Sequence, residues 1–180
     1  MIEPALFDLA RLVDLLEVEA RHIAGWEKRI AACFAAHPRA ELFASLPGAG
    51  PVLAPRLLVA LGDVPERYPD AQALQKYAGV APVREKSGRQ VWVHWRWGAP
   101  KFLRQTLVEW AGQTVVFSAW AKAFYRRQQA QGKKHHAILR ALAFKWVRIL
   151  WRCWKDNTPY DETHYIAALA KRGSPLAAAA

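Results

Sequence analysis

His135-His136-Ala137-Ile138-Leu139-Arg140-Ala141-Leu142-Ala143-Phe144-Lys145-Trp146-Val147-Arg148-Ile149-Leu150-Trp151-Arg152-Cys153-Trp154-Lys155-Asp156 reads as one long helix that starts after a break at Gly132. Lys145, Arg148, Arg152 and Lys155 step by three, four and three residues, so they share one helical face. Ile138, Leu142, Ile149 and Cys153 trace a different, apolar stripe. A basic rail backed by a core stripe predicts a helical body with one charged side.

Upstream, Lys101 to about Trp120 and Ala121 to Gln131 also read as helices. Before them lies the one clear β signal. Val91, Val93, Trp95 and Trp97 alternate with Trp92, His94 and Arg96, and Val80 to Glu85 is placed to pair with this run across Lys86-Ser87-Gly88-Arg89. Asp70 to Ala78 is a short helix with Asp70 as N-cap and Gly79 as its stop. Leu42 to Leu61 reads as helix, tight turn, helix, with Gly48 and Gly50 free to take positive φ and Pro51 suited to a first helical position. Pro55 is expected to kink the second of these helices. Leu9, Leu16, Ile23 and Ile30, with Leu6, Val13, Ala20 and Phe34 between them, give residues 5–36 a heptad-like seam. Glu27 interrupts that seam, so a coiled coil and an amphipathic helix packed on its own domain both remain open.

The expected fold is therefore mainly α: a long coiled-coil-like helix over residues 1–38, a helical domain with one small β-hairpin over 39–162, and a tail over 163–180. Charge follows the same division. The 180 residues carry +11, but residues 1–41 are −2 and the remainder is +13. Such a basic body points to a polyanionic partner. Only Cys33 and Cys153 are present, without metal-ligand spacing, and no secretory leader or uncharged span of membrane length is visible, so the expected location is the cytoplasm.

Candidate chemistry is sparse. The Pro47-Gly48-Ala49-Gly50-Pro51 turn is similar in spacing to the helix-hairpin-helix element, which grips a nucleic-acid backbone through exposed amides at Gly48 and Gly50. Cations that would hold phosphates recur among aromatics at Arg96, Lys101 and Arg104, at Arg126, Arg127, Lys133 and Lys134, and along the Lys145, Arg148, Arg152, Lys155 rail. Most of the nine tryptophans are expected in the core. Of four serines, Ser87 stands out because Arg84, Lys86 and Arg89 flank it and would offset charge on an attacked phosphate. Ser-Gly is also good turn chemistry in its own right, and no local base is evident to activate the hydroxyl. His135-His136 and Asp161-Glu162 lack the partners a metal site requires.

Taken in order, Leu46-Pro47-Gly48-Ala49-Gly50-Pro51, Tyr77-Ala78-Gly79-Val80-Ala81-Pro82, Ser87-Gly88, Leu103-Arg104-Gln105-Thr106-Leu107, Tyr125-Arg126-Arg127 with Gly132-Lys133-Lys134, and Pro159-Tyr160-Asp161 resemble the carboxyl-terminal domain of the insertion-sequence one-ten transposases. The resemblance covers residues 40–162 and departs from the family pattern at Arg96-Trp97-Gly98-Ala99-Pro100-Lys101-Phe102. It implies a bridge-RNA-guided recombinase acting near the nucleoid. In such an enzyme a serine, here Ser87, attacks DNA, and a RuvC-like amino-terminal domain supplies the acidic residues that hold magnesium. Only some 40 residues precede the glycine turn, so no magnesium site is expected within this chain, and activity would depend on that other domain. DNA, guide RNA and a second copy joined through the first helix are the implied partners. Two other readings stay open: a nucleic-acid-binding module without chemistry, and a Trp- and Arg-rich protein of membrane surfaces.

Overall fold

The computed structural model describes residues 2–94 and 96–177, the first three by backbone alone. Trp95, part of the expected strand alternation, lies outside them. The chain divides into two compact units, Met1–Pro38 and Arg39–Ala180.

The first unit is a single helix, α1 (Ile2–Ala35). It closes with His37 N–H donating to Phe34 O at 3.0 Å, one residue before Pro38. Its seam residues Leu6, Leu9, Val13, Leu16, Ile23 and Ile30 are all exposed.

The second unit is helical with one hairpin, as the periodicities predict. Helix α2 (Ala40–Ala44) and α3 (Gly50–Leu61) flank the glycine turn. Gly48 and Gly50 take φ of 70° and 54°, values open to glycine at little cost. Pro55 is buried, and α3 continues through it rather than breaking. Helix α4 (Ala71–Tyr77) starts where Asp70 Oδ1 accepts from Ala73 N at 2.7 Å, and it stops at Gly79, φ 70°. Strands β1 (Val83–Ser87) and β2 (Gln90–His94) follow, then α5 (Lys101–Phe117), α6 (Ala119–Ala130), α7 (His135–Asp156) and α8 (Glu162–Lys171).

Helix α7 is the hub, packed against α4, α5 and α6. Its buried stripe is Ile138, Leu139, Leu142, Ala143, Trp146, Val147, Leu150 and Trp154. Ile149 and Cys153, expected in that stripe, are only half-buried, because the wide aromatic face centred on Trp146 takes the core side of the helix. Trp146 meets Trp120 at 4.6 Å, Trp110 at 5.0 Å and Tyr160 at 5.2 Å between ring centroids, and its Nε1 donates to Thr114 Oγ1 at 2.8 Å. Burial of these large rings is the main source of cohesion, and the tilted and edge-on contacts add to it. Trp110, Trp120, Trp146 and Trp154 are fully buried, whereas Trp26, Trp92 and Trp97 are exposed, so the expectation that most tryptophans are core holds for only half of the eight described.

Two boundaries differ from the sequence reading. Helix α5 ends at Phe117, because Ser118 turns extended (φ −125°, ψ 125°) and its Oγ caps α6. Residues 163–171, assigned to the tail, belong to α8, which begins at Glu162 and whose N-cap Asp161 accepts from His164 N at 3.0 Å.

Candidate nucleic-acid interface

The β1–β2 hairpin pairs Ser87 with Gln90, Lys86 with Val91, Arg84 with Val93 and Glu85 with Trp92. The turn is two residues long, Gly88 at φ 58° followed by Arg89, the pattern of a type II′ connection. Ser87 and Lys86 are therefore strand residues rather than turn residues. Side chains alternate across a strand, so Ser87 shares a face with Glu85 and Trp92, while Arg84 and Lys86 point to the other side. Of the cations expected around Ser87, Arg84 and Lys86 are adjacent in sequence but project from the opposite face, and Arg89 sits in the turn. All of them are exposed. Glu85 Oε1 and His94 Nε2 lie 2.7 Å apart, and that hydrogen bond holds the Glu85 carboxyl below its usual range.

At the glycine turn, a Cβ on Gly48 would lie 2.9 Å from Phe117 and 3.0 Å from the backbone of Gln113, so the close approach permitted by this glycine is made by α5. Trp110 Nε1 donates to Pro47 O at 3.0 Å and fixes the same turn from below. Gly50 faces open space.

Arg104 Nη1 donates to Arg96 O at 3.2 Å, which places this guanidinium under the 96–100 loop, while Lys101 is exposed at the start of α5. Arg126, Arg127, Lys133 and Lys134 are exposed around the α6–α7 turn. That turn is fastened by Lys133 on Gln128 and by Tyr125 Oη with His135 Nδ1 at 2.7 Å.

The rail on α7 borders two clefts. The larger, about 760 Å³, lies between α7, the 157–161 loop and α8, and is lined by Lys145, Arg148 and Arg152 together with His164, Tyr165 and Arg172. Asp156 and Asp161 also line it, and Asp156 Oδ2 accepts from Arg152 Nε at 3.2 Å. Ile149 and Cys153, the two residues displaced from the core stripe, form its floor, and burial pushes the Cys153 thiol up to about 11, leaving it protonated. The smaller cleft, about 470 Å³, shares Lys145 and Arg148. Desolvation, reinforced by Arg148, lowers the Lys145 pKa, and its Nζ sits 5.2 Å over the Phe124 ring. Lys155 stands apart from both clefts, 4.9 Å over Trp151.

Helix α8 is placed by a half-buried polar network that sequence reasoning missed. Glu162 accepts from Ser118 Oγ at 2.8 Å, Ala119 N at 3.0 Å and Tyr160 Oη at 2.6 Å, and Trp120 Nε1 donates to Tyr160 Oη at 3.0 Å. His164, Tyr165 and Arg172 enter the larger cleft only because this network folds α8 back on α7; the Pro159-Tyr160-Asp161 motif was the signal available for it.

Residues 40–126 match the family model described as Transposase IS116/IS110/IS902 family. The chain belongs to this transposase family. The mini-circle putative transposase for IS117 of Streptomyces coelicolor is 34% identical over 164 residues, covering 91% of this chain and 39% of the relative. The uncharacterized 42 kDa protein of insertion element IS900 from Mycobacterium paratuberculosis is 28% identical across 89% of this chain and 40% of its own length. The pilin gene-inverting protein of Moraxella bovis is 33% identical across 69% of this chain and 39% of its own length. The chain thus spans about two fifths of the length of these curated relatives. Within the transposase-family match lie the glycine turn, α4, the Ser87 hairpin and α5, whereas the α7 rail lies beyond it. Among the described residues no helix is long and apolar enough to cross a membrane.

Proposed function

We propose that this chain is the DNA-binding portion of a transposase in which Ser87 serves as the nucleophile for strand cleavage and joining. The observation that carries the DNA-binding part is the pair of clefts organised by Lys145 and Arg148, since neither cation is paired with a carboxylate among the described residues. Phosphates would complete them. The exposed clusters at Arg84, Lys86 and Arg89, and at Arg126, Arg127, Lys133 and Lys134, extend the basic surface, with Gly50 offering an open backbone grip.

For Ser87 the support is its inclusion in the family match and its exposed position at the end of β1, where pairing with Gln90 fixes its backbone. In the proposed step Ser87 Oγ bonds to phosphorus, the P–O bond to one deoxyribose oxygen breaks and that oxygen leaves as a hydroxyl, and the serine proton passes to a base beyond this hairpin and on to the leaving oxygen. Magnesium would serve by stabilising charge on the attacked phosphate. Among the described residues no three His, Cys, Asp or Glu side chains converge to hold it, so no step on this chain is routed through it.

The strand register favours a second reading, a nucleic-acid-binding module without chemistry, because Arg84 and Lys86 face away from Ser87. Guide RNA would use the same phosphate contacts as DNA. The exposed heptad-like seam of α1 is suited to pairing with a second copy of the chain. A gel-shift titration tests the proposal: DNA affinity should fall steeply between low and physiological salt. With the rest of the transposase supplied, a covalent DNA adduct should form and disappear in Ser87→Ala. A flat salt response would overturn DNA binding, and an adduct that persists in Ser87→Ala would remove the serine from its role.

A further inference from the structure

The smaller cleft differs from the larger one in kind. It lies between the 79–82 loop, the base of the hairpin, α6 and α7, and its walls are mostly apolar, with Val80, Pro82, Phe124 and Phe144 prominent among them. No carboxylate lines it, whereas the larger cleft carries Asp156 and Asp161. Its volume, about 470 Å³, falls within the roughly 300–1,000 Å³ of clefts that enclose small ligands. Lys145 and Arg148 form one edge and belong to both clefts. The cleft is thus an apolar slot that includes aromatic side chains, with Lys145 and Arg148 adjacent at its rim and Arg140 also in its lining.

We propose that this cleft takes one unpaired nucleotide of the bound DNA, its base between the 80–82 loop and Phe144 and its phosphate on Lys145 and Arg148. The assignment rests on the nucleic-acid-binding reading and specifies what the site reads: a base out of the stack rather than a regular duplex. The two halves of the slot match the two halves of the ligand. A nucleobase presents apolar faces that gain by leaving water and stacking, and the attached phosphate supplies the charge the rim lacks. The desolvated, like-charged neighbourhood that lowers the Lys145 pKa is relieved when an anion arrives beside it. An apolar peptide would fill the walls but leave Lys145 and Arg148 unmatched, and an inorganic anion would satisfy the rim but leave the walls wet. Extruding a base from a duplex costs stacking and pairing, and least where the base is already unpaired, so a bulged or single-stranded site is the preferred substrate.

The test uses the full chain and two DNA duplexes of equal length, one fully paired and one carrying a single bulged 2-aminopurine. The bulged duplex should bind about tenfold more tightly, with a change in 2-aminopurine fluorescence on binding. Ala141→Met and Ala137→Met, each adding bulk to the cleft from α7, should abolish that preference and the fluorescence change while leaving affinity for the paired duplex within about twofold. Unchanged melting temperatures would show that each variant is folded, and two positions guard against one of them failing. Equal binding of the two duplexes by the wild type, or a preference that survives in both folded variants, overturns the cleft assignment alone. Failure to bind either duplex overturns the nucleic-acid reading with it.

Discussion

Tyr160 Oη donates to Glu162 Oε2 at 2.6 Å, and the same carboxylate holds the first amide of α6 through Ala119 N at 3.0 Å. One side chain therefore caps one helix while anchoring another. Glu162→Ala removes the acceptor for three donors, so urea unfolding should show a loss of about 1–3 kcal/mol, and Glu162→Gln should recover only part of it.

Tyr160 also sets an alkaline limit. Burial first, and then the hydrogen bond to Glu162, raise its pKa above the usual tyrosine value. A group whose folded pKa is raised contributes its stability in full below the unfolded value, near 10, and loses it as pH rises past that point. The melting temperature should hold up to about pH 9 and then fall, and Tyr160→Phe should flatten that fall while costing about 1 kcal/mol at neutral pH.

Trp146→Phe should be more damaging than any loop substitution. It removes the Nε1 bond to Thr114 and the ring contacts with Trp110, Trp120 and Tyr160, leaving a void in a filled core. A loss of about 2–4 kcal/mol in guanidinium unfolding is expected, with near-ultraviolet circular dichroism weakened in proportion.

Gly79→Ala tests the loop that borders the nucleotide cleft. The new Cβ would sit 2.3 Å from Ala99 Cβ at a φ of 70°, so both sterics and backbone oppose it. About 1–3 kcal/mol of stability should be lost. Gly88→Ala, where nothing lies within 4 Å, should cost less because only the positive φ is strained.

Lys145→Ala and Arg148→Ala should each reduce the slope of log affinity against log salt by about 1, uniformly across DNA sequences. Lys155→Ala, whose ammonium rests on Trp151 outside both clefts, should change it least. A slope equal to wild type in both rail variants would show that the ridge does not touch phosphate.

Much of this fold is written in local pattern. Asp70 and Gly79 delimit α4 through capping and positive φ, and the 3.6-residue rhythm of α1 and α7 survives because each has a distinct apolar face. Ser118 was less legible, since apolar residues run on both sides of it and only its extended backbone, held by Glu162 from far along the chain, divides α5 from α6. Helix α8 is Ala-rich and short, with too little pattern to announce itself before it docks. The orientation of Ser87 depended on whether the turn has two or four residues, and a one-residue change in strand register sends a side chain to the opposite face. Distances between rail and clefts come from tertiary packing and have no local signature at all.

The segment that defines the family ends at Arg126, yet the ring on which its Trp110 and Trp120 close belongs to Trp146 of α7. What ancestry marks as a module is therefore not a module of cohesion. A chain cut after residue 126 would present two large indole surfaces to water, and such a piece should collapse loosely or aggregate. The boundary of inheritance and the boundary of folding fall in different places, and any shortened version must carry the sequence through Trp146 and, for Glu162, into the start of α8.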